Sequence, residues 1–174
     1  MVGEVVLITG CSRGIGLGLV KYFATAGYKV VATCRDPKKA EELTSLLSSL
    51  GQQPALSLDT TDPASLLKAV NHVWTKYGRV DILLNNAGVA TKNHPHDPPE
   101  FLDVEEMVKV YQTNVGGTCA TTQVIHKQLL WHSKTSLTLC DKGLFATFEK
   151  IWKSKSPGHF FISRKYIQEF TIRV

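Results

Sequence analysis

Thr9-Gly10-Cys11-Ser12-Arg13-Gly14-Ile15-Gly16 is the stretch of sequence that decides the fold. It follows a continuous apolar run from Val5 to Ile8, which is typical of a strand buried on both faces of a parallel sheet. Apolar residues then return at helical spacing, at Ile15, Leu19, Val20 and Phe23. The pattern predicts a strand, a glycine-rich turn and a helix whose first N–H groups can approach a pyrophosphate.

Similar units of strand and helix follow along the chain. Short apolar runs occur at 30–32, 55–58 and 80–84. A helix that Pro37 begins, and a second one that Asp62 caps, separate these runs. Strands joined by helices of this length pair in parallel through right-handed crossovers. We therefore expect an α/β fold with a doubly wound parallel sheet.

The charge of the chain changes at residue 133. Residues 1–132 contain 12 basic and 12 acidic side chains, whereas residues 133–174 contain 8 basic and 3 acidic ones. We expect a dinucleotide-binding domain over 1–132 and a divergent basic tail over 133–174 that packs on the same domain. Because the tail has no dense Lys/Arg run, a solvated face is favoured over a nucleic-acid surface.

Composition and spacing argue against several other classes of protein. The content of 43% hydrophobic and 20% charged residues is that of an ordinary globular chain. The four cysteines have no C-x-x-C spacing, and nothing near His94 and His96 completes a metal ligand set. The first apolar run is far shorter than a signal segment or a membrane span. We expect a cytoplasmic protein without metal, membrane or nucleic-acid partners.

Four motifs in order resemble the short-chain dehydrogenase/reductase family. They are the T-G-x-x-x-G-x-G spacing, Asp59, the stretch Asn85-Asn86-Ala87-Gly88, and Asn114 within Thr113-Asn114-Val115-Gly116. The resemblance covers residues 4 to about 132 and implies a Rossmann-type sheet that is C-terminally incomplete. It also implies that Asp59 contacts adenine, that Asn86 and Gly88 lie along the cofactor's ribose side, and that Asn114 holds the water of a proton relay. Alternatives remain: a turn residue for Asp59, a sheet-stabilising amide for Asn86 and a helix kink for Asn114.

Two arginines indicate which dinucleotide is bound. Arg35 stands nineteen positions after Gly16, where folds that select NADP place a cation for the 2′-phosphate. Arg13 adds a second cation, and the chain resembles NADP-preferring members of the family, of the C-factor/sniffer-like carbonyl reductase type. Asp36 would repel a phosphate, but it is better placed to cap the helix that Pro37 begins. The predicted cofactor-binding residues are Gly10, Ser12, Arg13, Gly14, Ile15, Gly16, Arg35, Asp59, Asn86, Ala87 and Gly88.

The family's catalytic pair is missing from the sequence. In the family a Tyr donates the proton, with a Lys four positions later and a Ser upstream. The residues four positions after the five tyrosines are Ala26, Ala32, Asp81, Val115 and Phe170. A phenol without its cation titrates near pKa ~10. Three interpretations stay open: an impaired NADP-dependent oxidoreductase of a small carbonyl or alcohol, a non-catalytic cofactor-binding or regulatory module, and a truncated isoform without independent function. Assembly into a homo-oligomer is equally open.

Two further expectations concern the second half of the chain. Apolar residues from Val104 to Leu129 fit one or two helices that pack on the sheet. The segment from Ser133 to Thr138 does not match the family's fifth strand, so four strands in the order 3-2-1-4 would leave the fourth strand at an edge. We expect the segment from His159 to Ser163 to pair beside this strand, because unpaired apolar edges promote aggregation.

Overall fold

The computed structural model of the protein describes residues 3–90, 103–129 and 136–139. The strands are β1 (Val5–Ile8), β2 (Lys29–Cys34), β3 (Leu56–Ser57), β4 (Ile82–Asn85) and β5 (Ser136–Leu139). The helices are α1 (Gly14–Thr25), α2 (Glu41–Ser49), α3 (Pro63–Tyr77), α4 (Val104–Tyr111) and α5 (Thr118–Leu129). A 3-10 turn at Pro37–Lys39 precedes α2, and a π-helical segment at Gln112–Gly117 joins α4 to α5.

The strands form one parallel sheet in the order β3-β2-β1-β4-β5. The chain runs outward from β1 to β3, then returns to the other side of β1 with β4 and β5. This reversal is the topological switch point at which open α/β sheets bind ligands. The predicted α/β fold with a doubly wound parallel sheet is confirmed.

Side chains of β1 alternate between two cores, one on each face of the sheet. Val6 and Ile8 pack with apolar residues of α1 and α2. Val5 and Leu7 pack on the other face with apolar residues of α3 and with Ile125 of α5. Because both faces are covered, the strand is apolar at every position, which explains the unbroken run in the sequence.

Local capping explains where the helices begin. The Asp62 carboxylate accepts a hydrogen bond from the Ala64 N–H at 2.9 Å, and Pro63 occupies the first helical turn, as predicted. Asp36 likewise caps the segment that Pro37 begins. That segment is a 3-10 turn rather than the first turn of the helix we predicted, because the backbone at Ala40 leaves the helical region before α2 begins.

The partner predicted for β4 is wrong. Leu83 of β4 pairs with Leu137 of β5, so the outer side of β4 is occupied by Ser136–Leu139 and not by the segment from His159 to Ser163. That segment lies outside the described residues. The physical reason is the chain path: the next described segment after α5 takes the vacant side of β4, so the beginning of the basic tail supplies a fifth strand that the sequence pattern did not reveal.

Only part of the predicted packing after Asp103 is observed. Ile125 of α5 is fully buried against the sheet, as expected. Helix α4 buries none of its residues, and its apolar side chains at Val104, Met107, Val108 and Tyr111 are exposed. The prediction that α4 packs on the sheet is therefore wrong. Helical spacing identifies the apolar face of a helix but does not identify the surface against which that face packs. Within the described ranges no helix has the length and hydropathy of a membrane span.

Candidate functional site

A cavity of about 350 Å³ lies at the carboxyl edge of the sheet, where β1, β2, β3 and β4 end. We call it the carboxyl-edge cavity. It brings together all eleven residues predicted to bind the cofactor, from four separate parts of the chain. The lining residues that were not predicted are Cys34, Leu58, Thr60, Thr61, Val89 and Thr113. Asn114 is not among the lining residues, although its neighbour Thr113 is.

Glycines form the floor of this cavity because side chains do not fit there. A Cβ on Gly10 would lie 2.7 Å from the Cα of Ala87, and one on Gly16 would lie 2.2 Å from the carbonyl oxygen of Gly10. Gly14, whose φ is +57°, differs from both because a Cβ there would meet no atom within 4 Å. The loop therefore packs against the end of β4 on one side and leaves exposed backbone on the other.

Asn86 holds this loop in place. Its Nδ2 donates to the carbonyl oxygens of Thr9 and Gly10, at 2.9 and 3.0 Å. In return, the hydroxyl of Thr9 accepts hydrogen bonds from the N–H groups of Asn86 and Ala87, both at 3.0 Å. The amide hydrogens of Asn86 are thus used within the protein, and its side chain acts as the brace between β1 and β4. Thr9 was missed as a site residue; its position directly before the first glycine was the available signal.

The first turn of α1 is prepared for an anion. Its N-cap residue Arg13 makes no side-chain capping bond, and its first turn contains no acidic residue. By contrast, α2, α3 and α4 each carry a carboxylate at the N-cap or in the first turn: Glu41 and Glu42 in α2, the N-cap Asp62 in α3, and the N-cap Asp103 with Glu105 and Glu106 in α4. The unpaired N–H groups and the positive end of the helix dipole therefore face the cavity uncompensated.

Two cations and one carboxylate flank this turn. Arg13 and Arg35 both line the cavity, and the hydroxyl of Ser57 donates to the carbonyl oxygen of Arg35 at 3.0 Å, which fixes the backbone there. The hydroxyl of Thr61 donates to Asp59 at 2.7 Å and lowers the pKa of that carboxyl, and the charge of Arg35 lowers it further. Asp59 is therefore ionised at neutral pH. Thr61 is part of the same turn as Asp59 and was missed, although an Asp-Thr-Thr sequence after a strand is typical of such turns.

The side chain of Asn114 is occupied by the backbone of Val89. Its Oδ1 accepts from the Val89 N–H and its Nδ2 donates to the Val89 carbonyl oxygen, both at 2.9 Å. Asn114 lies in the π-helical segment between α4 and α5, so the alternative of an irregular helix also describes it. The amide fixes Val89, which lines the cavity, to this segment.

The described cavity wall offers no acid–base pair for proton transfer. Among its described residues there is no tyrosine and no lysine. Burial raises the pKa of the Cys34 thiol in the wall. Behind the wall, burial raises the pKa of Cys11 to about 12. Both thiols are therefore protonated at neutral pH, and neither supplies a thiolate nucleophile.

Comparison with known proteins identifies the class to which this site belongs. A family profile described as short chain dehydrogenase matches residues 4–137, which passes the limit of 132 expected from the motifs. D-threitol dehydrogenase of Mycolicibacterium smegmatis is 33% identical over 129 residues, covering 74% of this chain and 48% of that protein. Salutaridine reductase of Papaver somniferum is 35% identical over 115 residues, covering 61% of this chain and 37% of that protein. The chain therefore spans about half or less of the length of these relatives.

Solved structures share the same architecture. ElxO with NADP bound superposes with a TM-score of 0.71 at 28% identity, covering 79% of this chain and 54% of that one. A 3-ketoacyl-(acyl-carrier-protein) reductase from Brucella melitensis complexed with NADH superposes with a TM-score of 0.68 at 30% identity, covering 79% and 56%. One neighbour holds the phosphorylated dinucleotide and the other the unphosphorylated one, so the choice between them depends on the residues of the individual chain.

Proposed function

This chain belongs to the short-chain dehydrogenase family, and on that premise we propose that it binds NADP(H) in the carboxyl-edge cavity. The observation that carries the proposal is the convergence of all eleven predicted cofactor residues on one cavity at the switch point of the sheet. Nicotinamide dinucleotides are long, and a cavity that joins the ends of β1 to β4 matches a ligand with separate adenine, phosphate and nicotinamide ends.

The pyrophosphate would lie at the first turn of α1. Gly10 and Gly16 pack too tightly for a side chain, while the open space at Gly14 lets a phosphate approach the backbone. The N–H groups of this turn and the helix dipole favour negative charge, and no carboxylate of the turn competes for them. The residues present therefore fit a diphosphate.

The adenosine end would lie beside Arg35 and Asp59. Arg35 stands beyond the end of β2, where a guanidinium recognises a 2′-phosphate by paired charge-assisted hydrogen bonds. The carboxylate of Asp59 lines the same cavity and would accept a hydrogen bond from the adenine amino group. Arg13 supplies a second cation at the same cavity. This donor set favours NADP(H) over NAD(H).

When bound, the nicotinamide ring supplies hydride exchange with a carbonyl or an alcohol. The 174 residues contain no Tyr-x-x-x-Lys sequence, and the described cavity wall contains neither a tyrosine nor a lysine. We infer that this chain alone binds the cofactor and is impaired in turnover of a small carbonyl or alcohol. A non-catalytic cofactor-binding or regulatory module is the alternative that the same observation favours. The cytoplasm remains the location that we propose.

Binding experiments with both dinucleotides test cofactor choice. We expect NADPH to bind more tightly than NADH, and Arg35→Ala to weaken NADPH by roughly 10- to 100-fold, because a charge-assisted hydrogen bond is worth about 1.5–3 kcal/mol. NADH affinity should hardly change. Lys68→Ala removes an exposed cation of α3 outside the cavity and serves as the control. Equal affinity of the native chain for both dinucleotides would overturn the choice of NADP(H).

A separate assay tests turnover. With NADPH binding established by its fluorescence, the protein is mixed with a panel of small aldehydes and ketones, and oxidation is followed at the absorbance of the reduced cofactor. We expect binding without oxidation above background. NADPH oxidation by the purified chain above background would contradict the proposal that the chain is catalytically impaired and would support an active oxidoreductase.

A further inference from the structure

A carboxylate stands directly beside the arginine that we assign to the 2′-phosphate. Asp36 follows Arg35 directly after the end of β2. A 2′-phosphate bound at Arg35 would have the same sign of charge as the Asp36 carboxylate, so the two would repel each other. A phosphate carries close to two negative charges at neutral pH, so a free carboxylate here would oppose the binding that Arg35 promotes. The surroundings of Asp36 therefore bear on cofactor choice.

Both oxygens of Asp36 are engaged by the 3-10 turn that follows. Oδ1 accepts a hydrogen bond from the Lys38 N–H at 3.2 Å. Oδ2 lies 3.3 Å from Nζ of Lys39. The cap shapes the turn, and the ion pair adds a positive charge at the carboxylate. Lys38 contacts the carboxylate through its backbone, whereas Lys39 contacts it through its ammonium group.

The charge of Asp36 is felt in the wall of the carboxyl-edge cavity. The side chain of Cys34 lines that cavity. Burial is the main cause that raises the pKa of this thiol, and the charge of Asp36 raises it further. A carboxylate that acts on a buried thiol of the wall also acts on an anion bound at that wall.

We propose that Lys39 is a specificity-determining residue that acts through Asp36: its ammonium group neutralises the carboxylate and so removes a repulsion from the 2′-phosphate of NADP(H). The inference rests on the proposed function. Lys39 is a positioning and charge-compensating residue, not a direct phosphate ligand. A carboxylate that caps the 3-10 turn would otherwise repel a phosphate bound one residue earlier. The pairing with Lys39 allows both features to occur within the sequence Arg35-Asp36-Pro37-Lys38-Lys39.

The size of the effect follows from the exposure of the pair. The two side chains are 86% and 47% exposed, and ion pairs of this kind contribute little at a surface. We expect Lys39→Ala to weaken NADPH binding about two- to fivefold at low ionic strength, with less effect as salt is added. NADH, which has no 2′-phosphate, should bind as before.

A double-mutant cycle on the full chain tests the proposal. Dissociation constants for NADPH and NADH are measured for the native chain, Lys39→Ala, Asp36→Asn and the double variant. Asn keeps the capping oxygen for the Lys38 N–H and removes the charge. Lys38→Ala is the matched control, because it removes the same charge one residue away and leaves the ion pair in place.

We expect Lys39→Ala to weaken NADPH binding in the native background and to have no effect in the Asp36→Asn background. Lys38→Ala should change NADPH affinity less than Lys39→Ala does. An equal loss in both backgrounds, an equal loss from Lys38→Ala, or no loss at all would overturn the role of Lys39 while leaving NADP(H) binding intact. If the native chain shows no preference for NADPH, the proposed cofactor choice fails, and the role of Lys39 fails with it.

Discussion

Replacing Gly16 by alanine tests whether the glycine loop is as tightly constrained as its packing indicates. The added Cβ would lie 2.2 Å from the carbonyl oxygen of Gly10 and 2.6 Å from Nδ2 of Asn86. Neither atom can easily move away. The first belongs to the backbone, and the second is held by hydrogen bonds to the carbonyl oxygens of Thr9 and Gly10. The loop must therefore shift away from the end of β4.

Two contributions set the magnitude of the change. Overpacking of a well-packed site costs about 1–3 kcal/mol, and a weakened Asn86 hydrogen bond adds about 1 kcal/mol. We expect Gly16→Ala to lower the free energy of unfolding by about 2–4 kcal/mol. Displaced N–H groups would also lose charge-assisted bonds to the diphosphate, so the affinity for NADPH should fall at least about 100-fold.

Gly18→Ala is the matched control, because it makes the same chemical change two residues later in α1. Gly18 is exposed and its added Cβ would meet no atom within 4 Å. Alanine is a better helix former than glycine by about 1 kcal/mol, so this variant should be more stable and should melt about 2 °C higher. Its NADPH affinity should equal that of the native chain.

Thermal unfolding followed by intrinsic fluorescence, together with NADPH titration, measures both quantities on each variant. We expect Gly16→Ala to be less stable than the native chain and Gly18→Ala to be more stable. Only Gly16→Ala should lose affinity for NADPH. If Gly16→Ala were as stable as Gly18→Ala and bound NADPH equally well, the described packing of the loop against Gly10 and Asn86 would be refuted.

Other contacts give further expected outcomes. Asn114→Ala removes both bonds to Val89, so the Val89 amide should exchange with deuterium about tenfold faster, and an unchanged rate would contradict the bracing role. The Asp81 carboxylate accepts a hydrogen bond from the Val5 N–H at 2.8 Å and forms an ion pair with Arg79. Asp81→Asn should therefore lower the free energy of unfolding, measured in urea, by about 1–3 kcal/mol. An unchanged free energy of unfolding would show that the ion pair with Arg79 does not stabilise the fold. Burial raises the pKa of Cys11 to about 12, so its contribution to stability is complete below about pH 9 and declines as the pH rises toward 12. Cys11→Ala should flatten this alkaline decline in a urea titration, and an identical slope would count against a desolvated thiol.

The sequence alone was sufficient for the features that depend on neighbouring residues. The strand, the glycine loop and the start of α1 are specified within residues 5–25, because burial pattern, turn glycines and helical spacing all act locally. The caps at Asp36 and Asp62 were predicted for the same reason, since a carboxylate bonds to an N–H two positions later. Repeated units of this kind also predicted the parallel sheet.

Tertiary structure decided the features that depend on distant parts of the chain. Asn86 lines the cavity together with the other predicted cofactor residues, and only the tertiary structure shows that its amide also bonds to residues 76 and 77 positions earlier, because no local pattern reveals contacts at that separation. The neighbour of β4 proved to be Ser136–Leu139, because strand pairing depends on which segment reaches the vacant edge and not on propensity alone. Helical spacing marked the apolar side of α4, yet only the packed structure shows it exposed, since a periodic pattern specifies a face and the fold determines what lies opposite.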